Sequence, residues 1–169
     1  GEGPSLREAV SSLAMSLERS FFGGNNKARL YTERFVKKDM LSALEFFTRD
    51  HITDETPLMI VIKGDSPDEI YFCSTGLSDM AGNYFENLQF SQEAHTSQSV
   101  FVTTLDFIKD YYDEGKQPIM GLAELKESKT KPSQMQDTQT GTLPDGAPVQ
   151  KIIVYEGLAA FKDNALAGY

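Results

Sequence analysis

Apolar positions recur at two different spacings along the chain, and the switches between them outline its elements. Residues 4–22 read as an amphipathic helix: Leu6, Val10, Leu13, Leu17 and Phe21 form one stripe. Pro4 precedes "SLRE", a capping box in which the Ser5 hydroxyl takes one free amide and Glu8 reaches back to another. "GGNN" at 23–26 stops this helix, because Gly and Asn accept left-handed backbone. A second helix is expected over 33–50, with Val36, Met40, Leu44 and Phe47 on one face and Lys37, Lys38, Glu45 and Arg49 largely off it.

The spacing then shortens. "LMIVI" within 57–63 and "IYFC" within 69–75 read as strands, and "GDSPDE" between them predicts a hairpin turn. Residues 77–88 predict a short helix weakened by Gly82, and "SVFVTT" at 99–104 reads as a strand or the entry to a helix over 104–114. Gly115 ends that helix and Pro118 keeps it from resuming. Residues 118–125 and 149–157 predict a strand pair around 126–148, a polar Thr-, Gln-, Lys- and Pro-containing segment expected to be a flexible loop or hairpin tip. The C-terminal "LAAFKDNALAGY" predicts one last short helix.

Hairpin-joined strands with interspersed helices imply an α+β fold with a mainly antiparallel sheet, in one domain over 1–169. In "LMIVI" both alternating sets are apolar: Leu58, Ile60 and Ile62 on one side, Met59 and Val61 on the other. A sheet wet on one side would place polar residues at every second position. The expectation is therefore a three-layer arrangement, helices on both faces, with the two N-terminal helices as one cover. This order of elements resembles that of roadblock, profilin and PAS-type domains.

At 169 residues the chain can bury roughly 70% of the surface that its unfolded form exposes, and needs no cross-link to be stable. Its 16 basic and 25 acidic residues give a net charge of −9. That balance argues against nucleic acid as a partner, since binding phosphates depends on basic side chains releasing counterions. No apolar run approaches the ~18 residues of a membrane span. One cysteine permits no internal disulfide and fits a cytoplasmic, reducing compartment. An exported protein whose signal peptide is already removed reads the same way, and the sequence starts at Gly1 rather than Met.

Candidate chemistry is sparse. Cys73 ends an apolar run, and His95 lies in the polar segment "SQEAHTSQS". A nucleophilic thiol needs such a base within reach and a cation that favours thiolate; "IYFC" supplies no Lys or Arg. The alternative is that Cys73 packs as a small hydrophobe. Asp50, His51 and Asp54 supply two carboxylates and an imidazole, the residue types for a divalent ion, but the same run reads as a solvated helix end. "GGNNKAR" at 23–29 follows a helix, whose carbonyl end repels anions. "STGLSD" at 74–79 is better placed for an anion, with Thr75, Gly76 and Ser78 between a strand and a helix start, where Thr75 or Ser78 also serves as an ordinary cap. No GxSxG elbow is present.

Two contact surfaces complete the inventory. Tyr111 and Tyr112, with Asp110, Asp113 and Glu114, form an aromatic and acidic patch, although helical geometry turns one of the two tyrosines to the core. Lys126, Lys129 and Lys131 make the polar loop locally basic. No metal or cofactor is implied. The favoured reading is a non-catalytic regulatory, protein-interaction or ligand-binding module. The alternatives are a small hydrolase or transferase using Cys73 and His95, and an assembly protein that self-associates through its helices and the 126–148 arm. Protein partners or self-association are expected and a small ligand is possible; nucleic acid and membrane are not.

Overall fold

The computed structural model describes residues 5–16, 26–38, 40–49, 55–64, 70, 81–93, 99–127, 151–162 and 165–169. In chain order these form α1 (Leu6–Ser16), β1 (Ala28–Thr32), α2 (Glu33–Lys38), α3 (Met40–Arg49), β2 (Leu58–Lys63), α4 (Ala81–Glu93), α5 (Thr104–Tyr112), β3 (Ile119–Glu127), β4 (Lys151–Lys162) and β5 (Ala165–Gly168). The class is α+β, and the strands make one five-stranded sheet in the order β1-β2-β3-β4-β5.

The sheet is mixed, which corrects the mainly antiparallel expectation. β1 and β3 flank β2 in parallel, whereas β4 and β5 continue from β3 antiparallel. The expected hairpin of 57–63 with 69–75 finds no free edge, because β1 and β3 occupy both edges of β2; of the second segment only Ile70 is among the described residues, and it has helical backbone. Parallel neighbours need long crossover connections, and the helices between the strands supply them. The predicted 33–50 helix is two helices, α2 and α3. The pairing of 118–125 with 149–157 corresponds to β3 and β4, which start or run further; Lys126 and Glu127 still pair with Ile152 and Lys151. The expected C-terminal helix is instead the end of β4 followed by β5. In "LAAF" Ala159 and Phe161 are buried while Leu158 and Ala160 are partly exposed, a period of two that Ala-rich composition conceals.

Why β2 sits in the middle follows from its residues. Leu58 through Ile62 are all buried. Met59 and Val61 pack with Val36, Met40, Ala43 and Leu44 of α2 and α3, with Phe107 of α5, and with Met120, Ala159 and Phe161. Leu58, Ile60 and Ile62 join a separate cluster with Ile70, Phe85 of α4, Ala123, Ile153 and Tyr155.

Two contacts fix the strand ends and the β3–β4 register. Arg29, buried on β1, donates to Thr104 Oγ1 at 2.6 Å and lies 3.8 Å over the Phe47 ring. Thr104 in turn donates through both its hydroxyl and its amide to the Pro57 carbonyl, at 3.0 and 2.9 Å. This network joins the start of β1, α3, the start of α5 and the entry to β2. On the other face Tyr155 crosses Gly121: its hydroxyl donates to the Val100 carbonyl at 2.6 Å, and its ring stacks on Phe101 at 4.9 Å. A Cβ at residue 121 would collide with the Tyr155 hydroxyl and lie 2.8 Å from the Val100 carbonyl. The β3–β4 register shifts between Gly121 and Ala123, and Gly157 meets that irregularity from β4 with φ of 87°.

Two measurements check this packing. Met59→Ala and Ile60→Ala point to opposite faces, yet each is expected to lower unfolding free energy by about 2–5 kcal/mol in urea titrations. A cost near zero for either would show that its face is open. Gly121→Ala is expected to cost about 1–3 kcal/mol through overpacking against Tyr155.

Candidate functional site

Sequence places α5 by its caps. Thr103 precedes the helix in extended conformation, accepts from the Asp106 amide at 3.1 Å and donates its hydroxyl to Asp106 Oδ2 at 2.6 Å. The next free amides, of Thr104 and Leu105, donate to the carbonyls of Pro57 and Glu55 at 2.9 and 3.0 Å. At the other end the Asp113 amide donates to the Lys109 carbonyl, and Gly115 follows. The helix is thus held at both ends, and its residues take fixed faces.

Thr104 and Phe107 are buried, and Ile108 and Tyr111 pack against the same cluster. Phe107 meets Phe161 edge-on, with ring centroids 5.3 Å apart. Leu105 and Tyr112 lie off this stripe. They are seven residues apart, so two helical turns bring them to one line, and they are 38% and 61% exposed. Tyr112 stands edge-on to Tyr111 at 5.2 Å. The Tyr111 hydroxyl oxygen is shielded from solvent with no hydrogen-bond partner; burial first, then the neighbouring Tyr112, raises its pKa.

Beside this apolar shoulder run the carboxylates. Lys116 reaches Asp110 at 3.0 Å and Asp113 at 3.4 Å, while Lys109 stands 4.0 Å from Asp106. The Asp113 carboxylate accepts the Gly115 amide at 3.1 Å. That amide, and then Lys116, hold its pKa below the ordinary carboxylate value; Asp110, and then Asp113, raise that of Lys116. The patch is therefore a partly neutralised rim around two exposed apolar side chains. It contains no metal or nucleophilic arrangement, and among the described residues no three of His, Cys, Asp and Glu gather as a metal site.

Of the residues that the sequence nominates, Tyr111 and Tyr112 share this helix, one facing the core and the other water. Lys126 is far along β3, exposed and 3.7 Å from Glu124. Cys73, His95, Thr75, Gly76, Ser78, Lys129 and Lys131 lie outside the described residues, as do Asp50, His51 and Asp54. Leu105 joins the patch although the sequence does not nominate it. Its signal was available: on a helical projection Leu105 and Tyr112 fall together, off the line of Phe107 and Tyr111.

Two outcomes are expected. Tyr111→Phe removes a shielded hydroxyl without a partner and raises unfolding free energy by about 1 kcal/mol, measured by chemical denaturation. Asp113, followed by NMR, titrates below its ordinary 3.8, and Lys116→Met moves it only part of the way back because the Gly115 amide remains. Since the folded-state pKa is the lowered one, the associated stabilisation is present above 3.8 and disappears as pH falls through the folded value.

No helix among the described residues is long and apolar enough to cross a membrane. No curated protein and no solved structure matches the chain. A family model does: that of the spore germination protein N-terminal domain matches residues 1–125 of the 169. The matched segment runs from α1 into β3 and contains α5 whole. Covering this much of the sequence, the match means that the chain belongs to the spore germination protein N-terminal domain family.

Proposed function

We propose that this domain is a non-catalytic contact module of a spore germination apparatus, holding a protein partner through the outer face of α5. The family match is the observation that carries the reading. The shape of α5 supports it: the helix is anchored by Phe107 and its caps, and offers Leu105 and Tyr112 to solvent. Exposed aromatic and aliphatic side chains on a rigid helix, ringed by polar groups, are the usual composition of a protein contact. Tyr112 is the anchor, Tyr111 supports it from below, and the rim carboxylates set orientation. Lys126, with Lys129 and Lys131 in the following sequence, is proposed as a second, basic contact stretch. We take residues 1–169 as one functional unit.

Spores carrying Leu105→Ser and Tyr112→Ser test this. Both side chains are exposed, so unfolding free energy should change by no more than about 0.5 kcal/mol each. Germination is expected to slow severalfold while the protein accumulates to its normal level. An unchanged germination rate would remove α5 as the contact. In the same assay Cys73→Ala should behave as wild type; loss of germination with a normally accumulated Cys73→Ala protein would favour cysteine chemistry instead.

A further inference from the structure

Helix α1 differs from the others in one respect. Each of α2, α3, α4 and α5 drives at least one side chain fully into the core: Val36, Leu44, Phe85 and Phe107. Across residues 7–15 of α1 no side chain is buried; Ala9, Val10, Ser12 and Leu13 are only partly covered, and Met15 is the most exposed large apolar residue described. The helix rests against α3, and none of residues 7–15 belongs to either core cluster. Its start is well formed, with the Glu8 amide donating to Ser5 Oγ at 3.3 Å and the Ala9 amide to the Ser5 carbonyl at 3.0 Å.

Eleven residues, the described span of α1, are marginal as a helix in water on their own, because isolated helices need more than ~12–15 residues to hold. Its helicity therefore depends on the contact with α3, and across residues 7–15 that contact covers half-exposed side chains only. Local stability follows buried apolar contact, so elements with little of it open without the rest. From this we infer that α1 is a reversible cover: it lifts from α3 and unwinds while the five-stranded sheet and the other helices stay folded. The same step uncovers the part of α3 beneath it. The fold thus holds a second helix surface whose accessibility is set by docking, whereas Leu105 and Tyr112 on α5 stand open throughout.

Deuterium exchange on the intact chain tests this. Amides of residues 10–16 are expected to exchange about 100-fold faster than those of α5, a shorter helix but an anchored one, and at a rate that low urea does not change. A difference below tenfold, or α1 rates rising with urea in step with β2, would mean that α1 opens only with the whole domain and would overturn the inference. Val10→Asp with Leu13→Asp provides the second arm. Protection in α1 should vanish while the urea midpoint of the sheet keeps its value; a midpoint that falls as far as with Met59→Ala would place α1 in the cooperative core and overturn it equally.

Discussion

Strand β2 is closed on all four sides. Its backbone pairs with β1 and β3, and its five residues from Leu58 to Ile62 are buried between one cluster containing α2, α3 and α5 and another containing α4. Much else follows from that enclosure. Because its neighbours run parallel to it, the chain must cross between strand ends by long routes, and the described helices on those routes contribute side chains to the two clusters around β2. The faces of β2 are therefore filled by core side chains, and the exposed apolar side chains of α5 lie away from them. Leu105 and Tyr112 occupy such a position: the side of α5 opposite them is committed to Phe107, Phe161 and Met59.

The same enclosure raises the problem of the sheet's margins. An edge strand offers free amides and carbonyls to any passing chain, and natural sheets guard against this with inward charges or covering helices. β1 carries Arg29, a buried cation pointing inward and held by Thr104 and Phe47. At the opposite margin β5 is short and uncharged, but α2 touches it as well as β1 and β2. One helix thus bears on both margins, and Tyr169 just past β5 returns towards Lys63 at the end of β2, with the ring 5.9 Å from its ammonium.

How far the sequence discloses this can be traced through particular residues. The two apolar sets in "LMIVI" imply burial on both sides, and each set enters its own cluster. That pattern is equally the mark of a central parallel strand, yet "GDSPDE" suggests a hairpin because turn chemistry is local whereas strand partners are chosen by tertiary packing. β1 was invisible for a related reason: "ARLYT" holds an arginine and is only five residues long, and nothing nearby announces that Thr104 and Phe47 will receive the guanidinium from elsewhere in the chain. "LAAF" reads as helix from composition, and becomes strand because Ala159 and Phe161 complete the face built by Met120 and Phe107. For the site, the division of labour between Tyr111 and Tyr112 follows from helical geometry alone. Leu105 belonged to the same projection, and the tying of Asp110 and Asp113 by Lys116 did not, since it depends on how the chain turns after Gly115.

The family match stops at residue 125, inside β3, but the packing does not. β3 has two edges, and only one of them is satisfied by β2; the other is bonded to β4 from Ile119 to Glu127. Phe107 in the matched segment meets Phe161 beyond it. Gly121 gives the reason at atomic scale: this position is bare so that Tyr155 can cross it and reach the Val100 carbonyl, and Tyr155 comes from β4. A glycine shaped for a side chain outside the matched segment shows that residues 1–125 are not a self-sufficient core. The strands that follow complete it, and with it the seat of Phe107 that holds α5 and its exposed tyrosine in place.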